Sequence, residues 1–433
     1  MIQTISNGLW QGLWILILIL SLWSYWAFRQ LKYKKTPLNS QEKANNNQLF
    51  FISMAGSVGL GNIFVVINEV QKLGPSIIVW LWIGALLGRY LKFWELFLSI
   101  KYKENPDDFT GGSQYIPWVI KGGQWLGLLF SIFLIFYCVE SFQMISMVKI
   151  TQGFFMENIP EISYWINPKI LLISITSIIC YLLYYCRKRE AFITSSNVLM
   201  KIFLWGYFGF LGILCIKYYY FIPVILKNIF YDVFSVHNWS SKLLTIGVGI
   251  RTAIYSNDIG VGYEGIMQKY ANVEPIENKQ IEYCHNIISS NIIDVMVCTT
   301  SGLIACFYGV IYNLPLNSLD SHSLIIKIFN LMMPKIGHLV LTFLIFCAAF
   351  TTVSTYLQAG YLLFDNYFKK LSLFKSIPSE IFYGISFFVF FLALSRDLES
   401  LFGLMSIAGG LLILINCITI GFYLYQRFIK KSI

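Results

Sequence analysis

The sequence has few charged residues. Only 12% of its 433 residues are Asp, Glu, Lys or Arg, whereas 57% are hydrophobic, and the mean hydropathy is +0.64. A soluble protein of this length needs far more charged surface to stay in solution. The composition therefore excludes an ordinary soluble domain, and the net charge of +10 is not taken as a sign of nucleic-acid binding.

Histidine and catalytic motifs are also scarce. The four histidines, His237, His285, His322 and His338, lie in predicted loops or at the ends of apolar blocks. There is no H-E-x-x-H, G-x-S-x-G or P-loop motif. The nine cysteines form no C-x-x-C pair and lie mostly within the apolar blocks, where cysteine acts as a small apolar residue. We therefore predict that the protein is not an enzyme and has no cofactor.

Long apolar blocks make up most of the chain. A helix of 18 to 28 residues, which is the length of these blocks, spans the ~30 Å hydrocarbon layer of a membrane. The backbone in lipid must satisfy its own hydrogen bonds, which favours helices. The predicted spans are 10–28, 49–70, 76–100, 124–149, 169–186, 192–216, 243–268, 286–313, 338–364, 378–395 and 401–426. The predicted fold is an all-α polytopic membrane protein with about eleven transmembrane helices.

Positive charges indicate the orientation. No Lys or Arg precedes the first block, so we predict a retained span and not a signal peptide. With the N-terminus outside, 19 of the 32 Lys and Arg residues fall on the inner side and 9 on the outer side. Cytoplasmic loops carry the excess of positive charge. We expect a multi-pass protein of a cell membrane, a prokaryotic plasma or inner membrane, with a cytoplasmic C-terminus.

Two spans contain clusters of glycine. Residues 55–62 read AGSVGLGN, and residues 256–262 read SNDIGVG. Glycine costs roughly 1 kcal/mol in a helix interior, so both clusters predict unwinding. Backbone groups freed inside the bilayer must line a cavity or hold an ion. A helix N-terminus favours an anion, and free carbonyls favour a cation.

The clusters also suggest a repeat. Gly59 and Gly260 lie 201 residues apart, and each opens a set of five spans. Because five is odd, the two sets enter the membrane from opposite sides, which is typical of secondary transporters. The alternative is close helix packing through small residues. The predicted division is an extra N-terminal helix and loop (1–48), a first repeat (49–216), an extracellular connection (217–242), a second repeat (243–426) and a tail (427–433).

Polar residues occur inside several spans. Asp258 lies in the second cluster, and Glu140 and Gln143 lie three apart on one face of span 4. A hydroxyl cluster in span 9 consists of Thr351, Thr352, Ser354 and Thr355. Ionisable groups in a membrane face a wet cavity or a partner. The hydroxyls could instead bond to carbonyls of their own helix.

Two ion pairs are possible from helical spacing. Arg251 is two turns before Asp258, so the two could form a structural ion pair. Lys92 and Glu95 are three residues apart in span 3, and we predict an ion pair on that helix face.

Four segments resemble the alanine or glycine:cation symporter family, which has the leucine-transporter-like fold. Residues 56–63 are similar to the family's G-T-V-G-x-G-N-I, and residues 251–262 to its R-G-x-F-S-N-E-A-G-L-G. Residues 294–299 resemble D-T-x-x-C-T, and residues 349–352 resemble A-F-S-T. The resemblance extends over most of the chain and implies a 5+5 inverted repeat with two broken helices.

The resemblance also implies two binding sites. The implied substrate residues are Gly59, Leu60, Gly61, Asn62, Gln143, Ser256, Asn257, Asp258, Thr352 and Tyr356. The implied sodium ligands are Ala55, Val58, Ala348, Thr351 and Thr352. Four residues depart from the family pattern: Asp258 replaces Glu, Tyr356 replaces Trp, Glu140 replaces Asn, and Tyr263 replaces Ser.

We therefore expect a secondary transporter that couples sodium entry to the uptake of small neutral amino acids, alanine or glycine. The alternatives are a proton-coupled or exchange carrier that uses Glu140 or Asp258, and an amino-acid sensor without transport. A channel is disfavoured, because no ring of like charges or filter-like segment occurs.

Overall fold

The computed structural model describes residues 2–31, 40–102, 115–158, 167–185, 189–235, 239–267, 276–366, 378, 381–396 and 398–429. All regular secondary structure in these segments is helical. The first half contains α1 (Ile2–Arg29), α2 (Ser40–Ser57), α3 (Val66–Leu73), α4 (Ile77–Lys101), α5 (Ile116–Val119), α6 (Gln124–Tyr137), α7 (Ser141–Asn158), α8 (Pro168–Tyr185) and α9 (Arg189–Lys217). The second half contains α10 (Ile222–Phe234), α11 (Trp239–Ser256), α12 (Tyr263–Met267), α13 (Glu277–Ile287), α14 (Ser290–Tyr312), α15 (Ser321–Met332), α16 (Gly337–Asn366), α17 (Ile381–Ala393) and α18 (Leu398–Leu424).

The helices agree with a polytopic membrane protein. Within the described segments, seven helical stretches are long and apolar enough to cross a membrane, and the bent pair Phe50–Ser57 and Gly61–Leu73 makes an eighth. Two shorter apolar helices, Lys169–Ile179 and Ile381–Ala393, lie within the fifth and tenth predicted spans. The all-helical membrane class is confirmed, whereas the count of eleven spans stays a prediction.

The first glycine cluster breaks its helix. α2 ends at Ser57, and a π-helical turn over Gly61–Val65 leads into α3, with a bend of 55° between the two halves. Gly59 is required for packing, because a Cβ there would lie 2.5 Å from Nε2 of Gln143. The glycine therefore allows the side chain of a neighbouring helix to approach the break.

The second cluster also breaks its helix. α11 ends at Ser256 and α12 begins at Tyr263. Between them Gly260 and Gly262 have φ of +82° and +95°, and Asp258 has φ of +49°. Glycine adopts this left-handed region freely, whereas a residue with a Cβ pays about 1–2 kcal/mol. The break thus contains two glycines that adopt positive φ freely and one aspartate whose backbone is strained.

A third break was not predicted. The expected continuous span 124–149 is interrupted, because α6 ends at Tyr137 and α7 begins at Ser141. Glu140 lies at this interruption with φ of +52°. The sequence here has neither glycine nor proline, so no local signal marked the break.

The broken helices lie inside the bundle. α11 packs against α4, and α3 packs against α14. α16 packs against α2, α7 and α9. The N-terminal helix α1 packs along α18 and α4. The two breaks are therefore surrounded by unbroken helices that can supply partners to their free backbone groups.

Lys92 connects three of these elements. Its Nζ lies 2.6 Å from Oε1 of Glu264 in α12 and donates to the carbonyl of Asn257 at 2.9 Å. Ser53 of α2 donates to the same Glu264 oxygen at 2.5 Å. Both Lys92 and Glu264 have side chains that are only 1% exposed. This buried cluster joins α2, α4 and α12.

The predicted ion pair between Lys92 and Glu95 is wrong, and the alternative pair between Arg251 and Asp258 does not form either. Lys92 pairs with Glu264, while Glu95 faces the backbone of Gly260 and Gly262. Arg251 pairs with Glu69 of α3 at 3.2 Å, and not with Asp258. The spacing argument for Arg251 assumed a continuous helix, but α11 ends two residues before Asp258 and the chain changes direction there.

We expect Lys92→Met to lower the melting temperature of the purified protein strongly. The substitution leaves Glu264 buried without its cation, and breaking a buried pair by removing one partner costs about 3–5 kcal/mol. Thermal unfolding in detergent measures the change. Lys121→Met, at an exposed position, is the control. The double variant Lys92→Met with Glu264→Gln should recover much of the loss. An equal effect of Lys92→Met and Lys121→Met would contradict this role.

Candidate functional site

A cavity lies where the three breaks meet. Six of the ten residues predicted to bind substrate line it, namely Gly61, Asn62, Gln143, Ser256, Asp258 and Tyr356. The fold therefore brings together residues that are up to 295 positions apart in the sequence.

The other four predicted substrate residues lie around the cavity, and two of them belong to the first break. Gly59 and Leu60 both contact the side chain of Gln143, which itself lines the cavity. Gly56 and Ser57, at the end of α2, also line the cavity, although neither was predicted to bind substrate. The first break therefore contributes more of the wall than the sequence suggested.

The remaining two, Asn257 and Thr352, support the breaks. The carbonyl of Asn257 accepts a hydrogen bond from Lys92, and its Nδ2 donates to the carbonyl of Ala253 at 2.7 Å. Asn257 therefore stabilises the second break from outside the cavity lining. Thr352 lies at the first break, among the predicted sodium ligands.

The first break presents backbone amides to the cavity side. The N–H of Leu60 donates to Oε1 of Gln143 at 3.1 Å, and the N–H of Gly59 donates to Oδ1 of Asn62 at 3.3 Å. Each acceptor is a side-chain amide oxygen, which occupies the place that an oxygen of a carboxylate could take. The start of the π-helical turn and α3 adds the positive end of a helix dipole. This end of the cavity is suited to a carboxylate.

A second end of the cavity, which begins next to Gln143, is acidic and aromatic. Oδ1 of Asp258 accepts a hydrogen bond from the hydroxyl of Tyr137 at 3.1 Å. The ring of Tyr137 lies 5.6 Å from that of Tyr356 between centroids. Glu140 adds a second carboxyl group to the lining. This end is suited to a cationic or hydrogen-bond-donating group.

Several further lining residues were absent from the predicted substrate set. Tyr137 and Glu140 line the cavity together with Gln143. Their spacing of three residues forms a polar stripe along span 4, and that stripe is a signal that could have identified Tyr137. Tyr255 and Met405 also line the cavity. Met405 lies in an apolar helix without any distinguishing local pattern.

Four of the five predicted sodium ligands meet at the first break. Oγ1 of Thr352 donates to the carbonyl of Val58 at 3.0 Å and to that of Ala348 at 3.1 Å. Oγ1 of Thr351 also donates to the carbonyl of Ala348, at 2.9 Å. Ala55 is buried in α2, three residues before Val58. Hydroxyl and free carbonyl oxygens between two helices are the donors that hold Na⁺ in transporters with broken helices, so the residues fit this ion.

Aromatic rings close the cavity on two sides. Tyr255 contacts Phe402 with ring centroids 5.2 Å apart, and a smaller pocket lined by Arg251 and Ser406 lies next to them. On the other side, Tyr356 contacts Tyr263 at 4.5 Å, and the hydroxyl of Tyr263 donates to the carbonyl of Ser53 at 2.7 Å. Tyr255 and Tyr356, which both line the cavity, are thus each held in a contact with a ring outside the lining.

Solved structures of transporters share this architecture. MhsT in complex with L-phenylalanine superposes with a TM-score of 0.63 at 14% identity, covering 86% of this chain and 87% of MhsT. A substrate-bound, outward-open Na⁺-coupled sialic acid symporter superposes with a TM-score of 0.56 at 15% identity, covering 99% of this chain and 87% of that one. The predicted leucine-transporter-like fold is confirmed.

The sequence is similar to named transporters. The sodium/alanine symporter AgcS of Methanococcus maripaludis is 24% identical over 382 residues, which is 82% of this chain and 80% of AgcS. The probable sodium/glutamine symporter GlnT of Bacillus subtilis is 23% identical over 320 residues, which is 70% of this chain but only 64% of GlnT, less than two thirds of its length. The model of the sodium:alanine symporter family matches residues 2–431. The chain belongs to the sodium:alanine symporter family.

Proposed function

We propose that this protein couples the inward movement of Na⁺ to the uptake of small neutral amino acids, alanine or glycine, and that it is not an enzyme. It would lie in a cell membrane with its N-terminus outside and its C-terminus in the cytoplasm. The two sets of five helices, 49–216 and 243–426, would act as inverted repeats. Membership of a family of amino-acid and sodium symporters supports the proposal.

The observation that carries the proposal is the proximity of the two sites in one break. The carbonyl of Val58 bonds to Thr352, and the N–H of Leu60, two residues further, bonds to Gln143. An ion held by Val58 and Thr352 would fix the conformation of the break and orient the Leu60 amide toward a carboxylate. Because coupling between two sites is reciprocal, the amino acid would also strengthen ion binding.

Transport would follow from opening the aromatic contacts in turn. Rotation of Tyr255 away from Phe402 would connect the cavity with the pocket beside Arg251. Separation of Tyr263 from Ser53 would open the opposite side. Alternating access needs one side to remain closed while the other opens. The two closures use different residues, so they can open independently.

Two alternatives use the same cavity. Glu140 and Asp258 both line it, and a proton-coupled or exchange carrier would use one of them in place of sodium. Amino-acid uptake that does not depend on a sodium gradient would favour that carrier. A sensor would bind amino acids without transporting them.

We expect purified protein in liposomes to take up labelled alanine when an inward sodium gradient is present. Thr352→Ala should abolish the sodium-dependent component, because it removes the hydroxyl that faces Val58 and Ala348. Thr355→Ala is the matched control, since Thr355 lies one turn away and bonds only to the carbonyl of Thr351 in the hydrogen bonds observed. Uptake that is independent of sodium, or equally impaired in both variants, would contradict the placing of the ion.

Gly59→Ala should lower the affinity for alanine by about tenfold or more. The added Cβ would lie 2.6 Å from Oε1 of Gln143, which occupies the place proposed for a carboxylate oxygen, so it would hinder the carboxylate from reaching the Leu60 N–H. A hydrogen bond to a charged group is worth about 1.5–3 kcal/mol, and losing it lowers the affinity by about tenfold or more. Binding of labelled alanine measures the effect. Gly153→Ala is the control, because a Cβ at Gly153 meets nothing within 4 Å. An unchanged affinity in Gly59→Ala would argue against carboxylate binding at this turn.

A further inference from the structure

The cavity contains two carboxyl groups and no basic side chain in its described lining. Glu140 and Asp258 are 4% and 5% exposed, and the other lining residues are uncharged. The basic group that acts on Asp258 from outside the lining is Lys92, which bonds to Glu264 and to the carbonyl of Asn257. The cavity therefore has an excess of negative groups.

A neutral amino acid would balance only one of the two acids. Its carboxylate would face the Leu60 amide and the sodium ion, and its α-ammonium group would face Asp258. An ionised Glu140 would then have no counter-charge. An unpaired charge buried in a membrane protein costs several kcal/mol, so Glu140 would need either a proton or a further positive group.

The backbone holds Glu140 in place at a cost. Its φ of +52° lies in the left-handed region, at the interruption between α6 and α7. A non-glycine residue in this conformation stores about 1–3 kcal/mol of strain and is most often found at functional sites. The carboxyl group acts on Asp258 across the cavity and lies within hydrogen-bonding reach of the Gln143 amide.

Gln143 connects Glu140 with the carboxylate end. Its Oε1 accepts from the N–H of Leu60, and its amide group reaches Glu140. A substrate carboxylate that takes the Leu60 N–H would displace Oε1 of Gln143. The Gln143 amide would then leave Glu140 as well, and the acid would become available to the substrate side chain.

We propose that Glu140 determines specificity and that the protein prefers amino acids with a short side chain ending in an ammonium group over neutral ones of equal size. This rests on the amino-acid symport proposed above and adds short basic amino acids to its substrates. The side chain must be short, because the bulky residues Phe142, Tyr255 and Met405 line the same cavity.

The test compares two ligands of nearly the same shape in the presence of sodium. 2,4-Diaminobutyrate carries an ammonium group where norvaline carries a methyl group. Competition with labelled alanine on the purified wild-type protein should show 2,4-diaminobutyrate binding at least about tenfold more tightly, as expected when a site built for a polar group rejects an analogue that lacks it. Equal binding, or tighter binding of norvaline, would overturn the inference.

Glu140→Gln should lower the ratio of the 2,4-diaminobutyrate affinity to the norvaline affinity to about one or below. Glu277→Gln, at a side chain that is 53% exposed, should leave the ratio unchanged. The wild-type comparison stands even where Glu140→Gln does not fold. If alanine binds more tightly as the pH falls, and Glu140→Gln loses this dependence, a proton neutralises Glu140 and the inference is wrong although symport stands. If sodium promotes binding of neither alanine nor 2,4-diaminobutyrate, the proposed function fails and the inference fails with it.

Discussion

Unwound backbone inside a membrane must find hydrogen-bond partners, and this requirement organises the whole bundle. At the first break, Gln143 of α7 bonds to Leu60, and Thr352 of α16 bonds to Val58. At the second break, Lys92 of α4 bonds to Asn257, and Nδ2 of Asn416 in α18 donates to the carbonyl of Gly260 at 3.0 Å. The helices that surround the breaks therefore supply the partners that lipid cannot.

These partners differ in how easily a ligand could replace them. Lys92 is buried and bonded at once to Glu264 and Asn257, so it is a fixed support. Gln143 and Thr352 are neutral and make bonds that a carboxylate oxygen and a cation could substitute. At the first break, a ligand can replace the bonds of Gln143 and Thr352. At the second break, Lys92 is a fixed charged support. This division explains why the proposed ion and substrate sites both lie at the first break.

The two acids at left-handed positions distinguish the cavity from the rest of the bundle. Asp258 and Glu140 are two of the three non-glycine residues with positive φ in the described chain, and both line the cavity. Strain of this kind persists only where the surrounding structure holds it. At Asp258 the Tyr137 hydroxyl donates a hydrogen bond to the carboxyl group. The cavity thus brings together two carboxyl groups, two residues with a strained backbone and several aromatic rings.

The membrane class, the positions of the two glycine breaks and six of the thirteen residues that line the cavity could be predicted from the sequence alone. The length of an apolar block and the glycine content of a segment are local properties. Their effects on the backbone do not depend on which other helices pack nearby. Only the folded structure shows which residues pair with Lys92 and Arg251. It also shows that the helix is interrupted at Glu140. Helical spacing relates side chains along a continuous helix, so it fails for Arg251 across the end of α11. Lys92 pairs with Glu264 in another helix. That pairing depends on how the two helices pack, which cannot be derived from the local sequence.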